Sequence, residues 1–322
     1  MSANALWQCR DVTADPLSLH QAQAFMDELP DRPLAGIILR LLSGMLFTGM
    51  MVCVKAASEA TPLGQIVFFR SLFALLPVVL FLAWRREFPA GLATRRPGGH
   101  LLRSGLGAAA MFASFAALAL LPVAEATLLA QLTPVLMAIG GVLLLRERLT
   151  LQRTAALLLA LAGVAVLVLP SLGGDGASLA GYLLALLAAL LTAGALLTVR
   201  RISRTETPGA IAFYFILMSA LAGLVTWPLG WADLDGKQLW LLMFAGLFGG
   251  AAHICMTLAL RYAEVSRLAP FEYLALIWPV LADLAIFGLA PSAGFLLALP
   301  LVLAGAGLAA FEGRRVRWPL RR

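Results

Sequence analysis

Apolar residues do not alternate with polar ones along this chain; they run together for about twenty positions at a time, broken by short bursts of charge, glycine and proline. A helix rising about 1.5 Å per residue needs about 20 such residues to cross a hydrocarbon layer about 30 Å thick. The runs predict spans near residues 34–57, 63–84, 100–121, 125–145 and 153–170, then 178–199, 209–230, 238–260, 267–288 and 293–311. The expected fold is an all-α integral membrane protein of ten transmembrane helices.

Composition removes the soluble alternatives. Hydrophobic residues fill 61% of the 322 positions, charged residues 13%, and the mean hydropathy is +0.91. Cys9, Cys53 and Cys255 are scattered, with neither a disulfide framework nor metal-ligand spacing. No cofactor or metal is expected. The first thirty residues carry Asp11, Asp15, His20, Asp27 and Glu28 without a continuous apolar stretch, so they read as a cytoplasmic tail instead of a cleaved signal.

The net charge of +7 comes as bursts between apolar runs, so it orients the chain in a bilayer and does not form a face for nucleic acid. With a cytoplasmic N-terminus, 21 of the 24 Lys and Arg fall on the cytoplasmic side, Arg40 and Arg103 counted among them. Lys55 and Lys237 fall outside, and Arg70 lies within a span. This bias predicts a multi-pass protein of the inner (plasma) membrane with both termini cytoplasmic.

Ser171 to Ala177 form a Gly-rich turn that divides the chain into halves, 34–170 and 178–312, with tails at 1–33 and 313–322. Five spans per half force the halves into opposite orientations. Two echoes support duplication: Leu118-Ala119-Leu120 leads to Ala124-Glu125 as Leu258-Ala259-Leu260 leads to Ala263-Glu264, and Lys55 precedes Thr61-Pro62 as Arg201 precedes Thr207-Pro208. Inverted repeats place a substrate site near the midplane, between the halves.

Four stretches resemble the EamA type of the drug/metabolite transporter superfamily: Gln65 to Leu72, with an aromatic pair before Arg70; Leu132-Thr133-Pro134-Val135 followed by Leu145-Arg146-Glu147-Arg148-Leu149; Leu161-Ala162-Gly163-Val164; and Ala269 to Trp278. The resemblance implies ten helices in two inverted five-helix EamA repeats. It implies cargo among amino acids, metal-chelating molecules, drugs, riboflavin or S-adenosylmethionine, because a fold does not fix its solute. Where one branch continues Phe-Gly-Glu, this chain has Phe287-Gly288-Leu289, so the second repeat lacks the acid that Glu147 supplies in the first.

Ionisable groups inside spans are the candidates for transport chemistry. Arg70 is eight residues past Pro62, about 12 Å into its span, either as an anchor for a carboxylate or phosphate or as a structural ion pair. Glu272 and Asp283, eleven residues apart on the ninth span, fall on one face with Leu276 and Pro279. They are candidates for proton coupling. Depth alone pairs Arg70 with Asp283 and His253 with Glu272. Gln131 and Tyr273 complete the candidate binding set, and Pro134 and Pro279, at comparable places in the two halves, are expected to bend their helices.

These readings converge on a secondary transporter of a small organic metabolite, amino-acid-like, nucleoside-like, flavin or another zwitterionic or amphipathic solute, working by alternating access. Its expected partners are that solute, the lipid bilayer and protons, in a monomer or homodimer. No Walker A loop is present for ATP, and no His-Glu-x-x-His or Gly-x-Ser-x-Gly motif points to an enzyme. The alternative is a lipid flippase or lipid-modifying enzyme on the same scaffold.

Overall fold

The structure is a computed structural model that describes residues 32–85, 88–89, 92–94, 96–145, 150–173, 176–203, 205–263 and 265–312. Twelve α-helices follow one another among these residues, with no strand. They are α1 (Pro33–Ala57), α2 (Leu63–Trp84), α3 (Pro97–Leu120), α4 (Val123–Ala130), α5 (Thr133–Leu145) and α6 (Leu151–Val168). Then come α7 (Gly176–Ile202), α8 (Pro208–Leu224), α9 (Gly236–Tyr262), α10 (Val265–Leu274), α11 (Ile277–Ile286) and α12 (Ala293–Glu312).

Eight stretches among the described residues are long and apolar enough to cross a bilayer, α4 and α5 counting as one, and α12 is a shorter apolar helix. Their outward faces stay apolar. Leu72, Leu76 and Leu80, one turn apart on α2, are all exposed, while Ala74 and Val78 of the same helix are buried. A helix that is apolar all round suits hydrocarbon on one side and packed helices on the other.

Proline and polar caps set the helix starts. Pro33, Pro97 and Pro208 occupy first turns, where no amide hydrogen is needed. Thr207 accepts the Ala210 N–H, and Asp235 with Gln238 forms a capping box at α9.

The expected spans 125–145 and 267–288 are both interrupted. Residues 131–132 form a turn between α4 and α5, just ahead of Pro134, and residues 275–276 form one between α10 and α11, just ahead of Pro279. Averaged hydropathy passes over such breaks because the residues in them are still apolar.

The packing pairs elements from opposite halves. Helix α1 packs along α9 and α3 along α7; α6 lies against α12, α2 against both α8 and α9, and α3 also against α8. Small residues allow the closest approaches. A Cβ on Gly305 would stand 2.7 Å from the Ala156 carbonyl oxygen, and one on Gly223 would stand 2.6 Å from the Phe68 nitrogen.

Candidate functional site

Arg70 sits on the third turn of α2 and is 3% exposed. Its Nη2 donates to the Met50 sulfur of α1 at 3.2 Å and its Nη1 lies 4.0 Å from the Met111 sulfur of α3, while Nε has no partner. Thioether sulfurs are weak acceptors. On the fourth side Gly249 of α9 makes the room, since a Cβ there would come within 2.7 Å of Nη2.

A second guanidinium is held inside the helices. Arg103, counted among the loop charges by the sequence, lies two turns inside α3, and its Cζ stands 4.3 Å over the Phe215 ring of α8. Its Nε and Nη1 are buried without a partner. His253 of α9 meets the Phe47 ring of α1 edge to face, with centroids 5.0 Å apart, and lies within electrostatic reach of both Arg70 and Arg103.

The two arginines therefore face weak company. A buried arginine in a membrane interior costs somewhere between about 2.5 and more than 10 kcal/mol. A cation–π contact returns about 0.5–2 kcal/mol. No described carboxylate is paired with either arginine: Glu272 binds Arg40, Glu206 binds His100, and Asp283 and Glu125 are engaged elsewhere.

The pairing of Arg70 with Asp283 is not found. Asp283, on α11, accepts the Val123 N–H on Oδ1 at 2.9 Å and the Ala124 N–H on Oδ2 at 2.7 Å, capping the first turn of α4. Its carboxylate meets the free amides and the positive end of that helix, which favour a negative charge there. The pairing of His253 with Glu272 is not found either. Glu272 Oε1 takes Arg40 Nη2 of α1 at 2.7 Å, with the Glu272 side chain about half exposed.

Tyr273 turns the other way, its hydroxyl approaching Gly307 of α12. Gln131 closes α4 as its C-cap, half buried. Glu147 and the Arg267 side chain lie outside the described residues, so the acid expected to close the first repeat has no structural account. Trp278, just past the second break, holds a buried Nε1 without a partner, one turn from Phe47 along α1 through its contact with Gly44.

One end of the molecule is tied by Lys55 and Glu125, which the sequence marked only through internal echoes. Lys55 donates to the Leu118 and Leu121 carbonyls at 3.0 and 2.6 Å, and its ammonium lies 5.6 Å from the Phe287 ring centre. Glu125 accepts from Tyr182 at 2.6 Å and from Ser292 at 2.8 Å, linking α4 to α7 and to the start of α12. Beside Glu125 lies a hollow of about 10 Å³, room for one water, lined also by Asp283, Leu289 and Ser292.

Gly288, at φ +65°, lets the chain turn so that both Phe287 and Leu289 donate to the Asp283 carbonyl. Leu289 thereby lands beside two carboxylates, where an acid would meet like charge. The Arg40–Glu272 tie lies toward the opposite end, because Arg40 and Lys55 are about 22 Å apart along α1 at 1.5 Å per residue. Arg70 and His253 lie between the two.

Comparison with known proteins agrees with this architecture. The model of the EamA-like transporter family matches twice, over residues 34–169 and 179–311. The pseudopaline exporter of Pseudomonas aeruginosa UCBPP-PA14 is 30% identical over 251 residues, 76% of this chain and 84% of its own. The riboflavin transporter of Rhizobium johnstonii is 31% identical over 294 residues, covering 90% of this chain and 96% of that one. The aromatic amino acid exporter of Ancylobacter novellus is 32% identical over 219 residues, 63% of this chain and 72% of its own. A solved crystal structure shares the fold with a TM-score of 0.62 at 22% identity, over 87% of this chain and 99% of that one.

Proposed function

The chain belongs to the EamA-like transporter family, and from that premise we propose that it carries a small organic solute across a cytoplasmic membrane by rocking two inverted halves around a central site. The named relatives carry a metal-chelating metabolite, a flavin and aromatic amino acids, and none is named as an enzyme.

The observation that carries this reading is the symmetry of the packing. Exchange the halves, so that α1 becomes α7, α2 becomes α8 and α3 becomes α9. The α1–α9 pair then becomes α7–α3, the α2–α9 pair becomes α8–α3, and the α2–α8 and α6–α12 pairs map onto themselves; all of these occur. The breaks at 131–132 and 275–276 fall in the helices that exchange with each other, each ahead of its proline. Discontinuous helices at matching places in two repeats are a mark of a carrier's midplane site. With α10 and α11 as the ninth crossing and α12 as the tenth, five helices per half follow.

Arg70, His253 and Gln131 are the residues proposed for cargo contact, and Pro134 and Pro279 for bending. Glu272 and Asp283 act as ties at the two ends. The basic loops support a reading with both termini in the cytoplasm.

Purified protein in proteoliposomes loaded with riboflavin or an aromatic amino acid tests the reading by counterflow of the labelled solute. Accelerated exchange of at least one solute is expected. Movement of a fluorescent phospholipid between leaflets with no solute exchange would instead identify a lipid flippase.

A further inference from the structure

We propose that the seam between α3 and α8 is the route by which solute passes between Arg70 and the end of the molecule carrying the Arg40–Glu272 tie, and that the His100–Glu206 pair latches it shut. This rests on the carrier reading above but concerns the path to the site, which that reading leaves open.

The first observation is a polar stripe on α3. His100, Ser104, Gly107 and Met111 follow one another at the spacings of a single helix face, and all are buried. Arg103 joins that face because its Nη1 lies over Gly107, where an added Cβ would collide with it. One turn further on, the Met111 sulfur receives Arg70 Nη1 at 4.0 Å and Ser71 Oγ at 3.9 Å. The stripe thus offers a polar group at each turn over about 16 Å, from the first turn of α3 to Arg70.

Second, the stripe is covered but not satisfied. His100 Nδ1, Ser104 Oγ, Arg103 Nε and Nη1, and Arg70 Nε are buried without a hydrogen-bond partner. Packed interiors normally pair such atoms. Each unpaired one disfavours the closed seam relative to a state in which a polar solute or water reaches it.

Third, the cover comes from the other half. The Tyr214 ring of α8 lies 4.8 Å from the His100 ring, with its hydroxyl committed to the Leu92 carbonyl, and Phe215 lies under Arg103 and against Gly107. At the mouth of the stripe, His100 Nε2 meets Glu206 Oε2 at 3.0 Å, with both side chains buried. Glu206 stands in the corner between α7 and α8, so this bond joins the halves. Lys55 holds the far end of α3, which puts His100 at the Arg40 end. Parting α8 from α3 breaks one buried bond and uncovers the whole stripe. On the orientation proposed above, that mouth faces the cytoplasm.

Thiol labelling in inside-out membrane vesicles, with a membrane-impermeant methanethiosulfonate, tests the route. The background lacks Cys9, Cys53 and Cys255. Ser104→Cys puts a thiol on the stripe at a side chain that is fully buried and makes no hydrogen bond. Gly105→Cys puts one on the outward face, where nothing lies within 4 Å. Only a thiolate reacts, and hydrocarbon suppresses it, so Ser104→Cys is expected to label at least about tenfold faster than Gly105→Cys. Glu206→Ala is expected to speed labelling of Ser104→Cys about tenfold, through the loss of one charge-assisted hydrogen bond from the closed form. His100→Gln cuts the same latch from the other side and is expected to act in the same direction. Leu128→Cys, in the packed cluster toward the Lys55 end, reports general loosening and is expected to gain nothing from either change.

Labelling of Ser104→Cys no faster than that of Gly105→Cys, or unchanged in both latch variants, would overturn the proposal, as would an equal gain at Leu128→Cys. Labelling from the opposite membrane face alone would overturn the cytoplasmic mouth. Latch-dependent labelling of Ser104→Cys with no solute exchange in proteoliposomes would leave the seam standing and remove the carrier reading.

Discussion

Lys55 and Asp283 hold the two sides of a single corner, the turn at Pro122 between α3 and α4. Lys55 donates to the carbonyls that end α3, at Leu118 and Leu121, and Asp283 accepts from the amides that begin α4, at Val123 and Ala124. Each side chain supplies what a helix end lacks, and each comes from a distant part of the chain. Since Asp283 belongs to the second half and the corner to the first, this corner is also a tie between the halves.

Replacing Asp283 by Ala leaves two buried amides without acceptors and is expected to cost about 1–3 kcal/mol of stability. Asp283→Asn keeps one acceptor and is expected to cost less. Thermal unfolding in detergent checks both. If Asp283 were instead a proton carrier, the Asn variant would stop transport and leave the unfolding midpoint in place.

Lys55→Met and Asp283→Asn act on the same corner, so their effects are expected to be non-additive by about 0.5 kcal/mol or more. A double-mutant cycle on the apparent midpoint measures this. Simple addition would separate the two residues.

Glycine substitutions divide by what they meet. Gly305→Ala and Gly223→Ala push a methyl group against backbone atoms of a neighbouring helix and are expected to destabilise by about 1–3 kcal/mol. Gly105→Ala meets nothing within 4 Å and is expected to be tolerated or mildly stabilising. Gly249→Ala crowds the flexible end of Arg70 together with the Met50 sulfur. It is expected to weaken solute binding more than it lowers the unfolding midpoint, which a binding titration beside the unfolding curve reads.

Glu272 is half exposed, so losing its bond to Arg40 is expected to change stability by no more than about 1 kcal/mol. If the tie holds one end shut, Arg40→Glu alters exchange rates in vesicles, and the swap Arg40→Glu with Glu272→Arg restores them.

The sequence was most legible where a rule is local. Apolar runs located helix ends to within a few residues, as with α2 at Leu63–Trp84 and α12 beginning at Ala293. Other features hid behind long-range or backbone partners. Asp283 found amides instead of Arg70, and a backbone amide carries no sequence signature. Arg103 was absorbed into a count of loop charges because such counts take no notice of which face of a helix a residue occupies. Glu125 showed only as an echo, since Tyr182 and Ser292 lie 57 and 167 residues away. The ends of α3 and α9 do match, but not in the register of the echo: Leu121 and Ala263, each the residue after its helix, are both extended and donate four residues back, to Ala117 and Ala259, whereas the echo sets Ala124 against Ala263.

The central claim is that two halves move in opposition around the site holding Arg70. Spin labels in a background lacking Cys9, Cys53 and Cys255 test it most directly, one pair at Glu59 and Ala290 near the Lys55 end and one at Leu34 and Leu274 near the Arg40 end. Measured in lipid with and without a solute that is transported, the two distances are predicted to change in opposite senses. Distances that stay fixed, or that widen together, would contradict the account.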